Sequence, residues 1–195
     1  MLEINMSKVL LLASGMSANQ FSNYPYKENG WTIVAVNNGW QVTDEWEHWV
    51  RPPDYKGEKP RIFLPHQEEV KRYSTQLKMF GGQAQCGYSI MLNAGYWALG
   101  ALKPNVIGML GGDMNYTPDK DGNTHIYGLG HDIQKNGIPD PDRMVNVHGD
   151  GSDNYLEKIY LRLEEQANKQ KCQVFNLSHG IETRLPYTRV KPENL

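Results

Sequence analysis

Cysteine is nearly missing from this sequence: Cys86 and Cys172 are the only two, and they stand far apart. Such a pair gives no disulfide framework, so the fold is expected to rest on a packed core in a reducing compartment. Long apolar runs are missing too. No stretch approaches the roughly 18 residues a membrane span needs, and the first residues lack the pattern of a secretory leader. A soluble, cytoplasmic protein is the expectation that follows. The chain also lacks an excess of either charge, with a formal net charge of -2. That leaves no electrostatic grip for a polynucleotide backbone and argues against a nucleic-acid partner. Neither repeats nor low-complexity tracts interrupt the 195 residues, a length that suits one domain, 1–195, with a sizeable core.

What is present is organised around the stretch from Lys103 to Tyr116. The apolar run Val106-Ile107-Gly108-Met109-Leu110 stops at Gly111-Gly112-Asp113, as a buried strand of a parallel sheet would. Glycines at the carboxyl end of such a strand let a ligand approach the backbone, and Asp113 would project into the crevice there. A local turn capped by the aspartate is the plainer alternative.

Lys8 to Ala13 reads as a first strand, running into Ser14-Gly15-Met16-Ser17. Free backbone N–H groups at a tight turn before a helix favour phosphate. Trp31 to Val36 reads as a second strand ending in Asn37-Asn38, whose amides suit a ribose or a base edge. Residues 41–51 suggest a helix ended by Pro52-Pro53, and Ile62 to Pro65 a third, weaker strand. After Gly87, helical spacing of Ile90, Met91, Ala94, Trp97 and Ala98 predicts a well-packed helix. A second helix begins at Ser152-Asp153 and places Leu156, Ile159, Tyr160 and Leu163 on one face. The last strand, 173–178, ends in Asn176 and Ser178, and the tail from Leu185 is expected to wrap the surface.

Positions 117–150 form a long loop insertion, dense in Asp, His, Asn and Gly, which a compact domain usually keeps for function. Asp119 to Asn123 imitates the start of a calcium loop. Thr124 and Gly130 stand where that loop requires glycine and glutamate, which argues against calcium. His148, in the same insertion, is a residue type that can act as a general base near neutral pH. The fold class read from this order is α/β: a single Rossmann-like domain with a mostly parallel sheet and helices on both faces.

The series KVLLLASGMS, VAVNN, GYSIMLNAGYWALG, IGMLGGDMNY, VHGDGSD and VFNLS, in that order, resembles the bacterial lipooligosaccharide sialyltransferases. It also resembles a related group that includes the archaeal pterin pyrophosphokinase-like proteins. The resemblance implies a nucleotide-sugar glycosyltransferase that inverts the anomeric carbon. Nucleotide contacts would come from Ser14, Gly15, Ser17, Asn37, Asn38, Gly87, Gly111, Gly112, Asn176 and Ser178, and the catalytic set would be His148, Asp113 and Tyr116. His148 would deprotonate the acceptor, while Gly15, Ser17 and Tyr116 or Tyr127 support the departing phosphate. This chain departs from the family at Ser14, where the family has asparagine, and at Cys86, where it has serine. Asn115 takes the place of an aromatic, with Tyr116 one position later. The expected partners are a nucleotide sugar and a glycan or small-molecule acceptor, with no metal ligands and no obligatory cofactor; a homo-oligomer is left open. Two alternatives stand beside this reading. One is phosphoryl or pyrophosphoryl transfer, with Mg²⁺ held through water by Asp113 and by Asp119, Asp121 or Asp132. The other is a nucleotide-binding module without catalysis.

Overall fold

A computed structural model describes residues 6–84, 86, 89–129 and 155–195. Six strands form one sheet: β1 (Lys8–Leu12), β2 (Trp31–Val36), β3 (His48–Val50), β4 (Glu68–Glu69), β5 (Val106–Leu110) and β6 (Gln173–Asn176). Their order is β4-β3-β2-β1-β5-β6, and every neighbouring pair is parallel. Parallel strands buried on both sides need apolar residues at successive positions, and β1, β2 and β5 have them. Alternation then divides the core in two. Val9, Leu11, Val34, Val36, Ile107 and Met109 face one layer; Leu10, Leu12, Ile33, Ala35, Val106 and Leu110 face the other.

The first layer is covered by α-helices α1 (Tyr73–Leu77), α2 (Ile90–Ala101) and α3 (Tyr155–Lys169). Nine residues of α2 are buried, the pattern of a helix enclosed on most sides. It begins where Ser89 Oγ accepts the Leu92 N–H. By contrast, α3 is amphipathic and buries Leu156, Ile159, Tyr160 and Leu163. The opposite layer is covered by 3₁₀ helices, Met16–Asn23 and Asn37–Gln41 among them, and by aromatic rings. Tyr26, Trp31, Trp46 and Trp49 are each no more than 2% exposed there. No helix among the described residues is long and apolar enough to cross a membrane.

Three expectations are corrected. Residues 62–65 are not a strand: Ile62 is 80% exposed, with no sheet to cover it. The third strand is instead His48–Val50, inside the stretch that suggested a helix. Glu47 N–H donates to Ile33 O at 2.9 Å and sets its register, and Trp49 and Val50 are then buried. The tail does not simply wrap the surface. Leu185 and Tyr187 enter the core, and Asn176 N–H donates to Thr188 O while Val190 N–H donates to Asn176 O, extending β6 by a parallel bridge. Gly87, His148, the insertion from 130 onward and the Ser152-Asp153 helix start lie outside the described residues.

Candidate nucleotide-binding rim

From β1 the chain steps outward through β2, β3 and β4, then crosses back to β5 on the other side of β1 and on to β6. The carboxyl ends of β1 and β5 therefore form the topological switch point, where open α/β sheets bind ligands. Sequence neighbours of both strands meet there. Ala13 N–H donates to Leu110 O at 2.9 Å and Gly15 N–H to Gly111 O at 2.7 Å. Gly111 has φ 75° and sits against the Ala13 carbonyl, so only glycine fits. Gly112 packs against the Met91 side chain of α2.

Asp113 does not face an open crevice. It is 3% exposed, and its carboxylate turns back under the β1 loop. Oδ2 accepts the Ser17 N–H at 2.8 Å, and Oδ1 accepts the Ser17 hydroxyl at 2.5 Å. Ser178 Oγ lies 2.9 Å from Ser17 Oγ and 3.4 Å from Asp113 Oδ1, and Gly111 N–H donates to Ser17 Oγ at 2.8 Å. Burial pushes the carboxyl pKa up, while the hydrogen bonds from Ser17 and Ser178 oppose the rise. The chain's own carboxylate thus occupies the anion position at the start of the 3₁₀ helix. The Gly15 and Ser17 N–H groups, expected to hold phosphate, both donate within the protein.

On the β2 side, Asn37 adopts a left-handed conformation, φ 51°, and its carbonyl accepts the Trp49 indole N–H at 2.7 Å. Asn38 Oδ1 accepts from the Tyr55 hydroxyl and from Gln41 Nε2. Beyond β5, Asn176 Oδ1 accepts the Ser178 N–H at 2.9 Å. Asn37 Oδ1 and Asn176 Nδ2 are buried without a hydrogen-bond partner among the described residues. Unpaired amide atoms at two strand ends call for a water or a ligand group.

A strap crosses this rim that residue types alone did not single out. Ile126 N–H donates to Ser14 O at 3.0 Å, and His125 bridges Gly15 in antiparallel sense. His125 is stacked on Tyr127, with ring centroids 5.1 Å apart, and lies 5.8 Å from the Tyr116 ring. Its Nδ1 is 2.9 Å from Thr124 Oγ1. Upstream, Asp119 Oδ1 accepts the N–H groups of Asp121 and Asn123, closing the turn that launches the strap. Gln20 adds a second link, its amide bonded to both the N–H and the carbonyl of His179. Neither link has a local sequence signature, because the partners are distant in the chain.

Burial holds the His125 imidazole below its usual range and the Tyr116 phenol above its own. The first shift has a definite sign in stability. A histidine whose folded pKa is depressed contributes fully above its unfolded value, about 6.5. That contribution is lost as pH falls from there through the folded value. His125→Gln is expected to flatten this acid decline, read as the difference in urea midpoint between about pH 7.5 and about pH 5.5. An equal decline in both proteins would assign it elsewhere.

Among the described residues, no group of three or more His, Cys, Asp or Glu side chains converges as metal ligands would. Asp113 and Asp119 commit carboxylate oxygens to internal hydrogen bonds. Comparison with known protein families finds no match, and neither the curated proteins nor the solved structures searched contain one.

Proposed function

We propose that this chain is a glycosyltransferase, moving a sugar from a nucleotide-sugar donor, such as a cytidine monophosphate sugar, to an acceptor hydroxyl. The observation that carries the reading is the switch-point rim itself, with Tyr116, His125 and Tyr127 drawn over the Ser14-Gly15 turn. Unpaired amide atoms of Asn37 and Asn176 lie at strand ends on either side of that point, suited to nucleoside hydroxyls or a base edge. Tyr116, whose phenol burial pushes further above its usual range, would supply an O–H donor where negative charge develops on the leaving phosphate. Asp113 has a positioning role: its carboxylate holds the β1 and β6 exits together through Ser17 and Ser178. His148 is assigned as general base from the resemblance to sialyltransferases. It would take the acceptor proton as the glycosidic bond to phosphate breaks and the new one forms.

The test begins with thermal shifts against nucleoside mono- and diphosphates. Ligand at a hundred times its dissociation constant should add about 2.7 kcal/mol, several degrees for a domain of this size. Transfer from the responding nucleotide's sugars should then fall about 10²- to 10⁴-fold in His148→Ala, with nucleotide binding retained. A protein indifferent to every nucleotide is not such an enzyme. Transfer undiminished in the variant would remove His148 from the mechanism, and abolition by a chelator would favour phosphoryl transfer.

A further inference from the structure

Between the turn that ends β2 and the stretch leading to β4 lies a cavity of about 380 Å³. That is the lower end of ligand-site volumes and leaves room for about one or two sugar rings. Trp40 and Trp46 line it, together with Asp44, Glu58, Lys59 and Arg61. Among the described residues, none of these four charged side chains makes an ion pair or a side-chain hydrogen bond. Two free carboxylates and two free cations therefore share one small cavity.

The cavity is also tied to the rim. Trp40 Nε1–H donates to Glu58 O at 3.2 Å, and the Tyr55 hydroxyl donates to the same carbonyl or to Asn38 Oδ1. Tyr55 in turn packs edge-on against Trp49, whose indole holds the Asn37 carbonyl. The wall of the cavity and the asparagine pair at the end of β2 are thus one hydrogen-bonded unit.

We infer that this cavity is the binding site for a neutral saccharide, the acceptor of the transfer reaction. An anionic ligand would meet Asp44 and Glu58, and a cationic one Lys59 and Arg61. A neutral polyol uses both sets, because each hydroxyl donates to a carboxylate and accepts from an ammonium or guanidinium group. The half-buried Trp40 indole supplies the apolar surface that such a ligand also needs, and Trp46, buried in the core, backs the wall from behind. The assignment of the sugar as acceptor rests on the transferase reading; the cavity's preference for a neutral saccharide does not.

Saturation-transfer NMR with the full chain tests it, using methyl glycosides of glucose, galactose, mannose and N-acetylglucosamine, with glucuronate and glucosamine as charged probes. At least one neutral glycoside is expected to receive saturation. Its affinity should fall about tenfold in Asp44→Asn and in Arg61→Ala, the loss of one charge-assisted hydrogen bond. Both positions are exposed, so both variants should fold and keep the wild-type thermal response to nucleotides. Saturation of no glycoside, preference for a charged probe, or binding unchanged in both variants would each overturn the proposal. Glycoside binding that depends on Asp44 and Arg61 in a protein that ignores every nucleotide would keep the saccharide site and end the transferase reading.

Discussion

Asp113→Ala is expected to cost about 3 kcal/mol of folding stability, at the upper end for removal of one buried hydrogen-bonding partner. The carboxylate, carried on the exit from β5, is the shared acceptor for two other strand exits. Ser17 lies on the β1 side, Ser178 follows β6, and Asp113 itself follows β5. Ser17 is fully buried, so alanine at 113 would strand its N–H and its hydroxyl proton away from water. Ser178→Ala removes only a donor, and Ser178 Oγ has Ser17 Oγ as its nearer partner. It should cost about 1 kcal/mol. Asp113→Asn keeps one acceptor oxygen and should fall between the two. Urea midpoints with an unchanged slope provide the measurement. If alanine at 113 cost no more than alanine at 178, the carboxylate would not be the brace described here. Nucleotide affinity of the same variants is the companion readout: loss of the brace in Asp113→Ala should weaken binding, and Ser178→Ala, with the smaller stability cost, should weaken it less.

How much of this was legible in the sequence differs by element, for physical reasons. β1, β2, β5 and α2 announce themselves because their apolar residues are contiguous or fall at one period over five or more positions. β3 does not: three residues, two of them buried, are too few to show a period, and Arg51-Pro52-Pro53 follows directly. Ile62 to Leu64 misleads in the opposite way, being strand-like in composition yet exposed. At the rim, the residues were legible but their geometry was not. Asp113 and Ser17 were both singled out, yet a bond across 96 positions has no local signature, and it turns the aspartate inward. The Asn37-Asn38-Gly39 turn shows a subtler inversion. The sequence points to glycine as the residue with unusual backbone freedom, but Asn37 carries the positive φ while Gly39 does not.

Gly39 is needed for space, and the second large effect follows from that. A Cβ at this position would be driven into the Leu12 carbonyl, with its carbon 2.8 Å and the Ala13 Cα 3.2 Å away. Those atoms lie at the carboxyl end of β1, where the Ala13 N–H is bonded to Leu110 O. They cannot swing aside as a side-chain terminus could, so the backbone of β1 or of the 37–41 turn must move. Gly39→Ala is therefore expected to destabilise the protein by about 3 kcal/mol, a drop of roughly 6–12 °C in melting temperature. Gly30→Ala is the informative contrast. Nothing lies within 4 Å of a Cβ there, but φ is +76°. Its cost is only the left-handed conformation, about 1 kcal/mol. The two variants should also part in function. Gly39 adjoins Asn37, Asn38 and Trp40, so its displacement should weaken both nucleotide and saccharide binding, whereas Gly30, at the amino end of β2, should leave both intact. Equal melting temperatures for the two variants would mean that the close approach of Gly39 to β1 is not what fixes the turn at the rim.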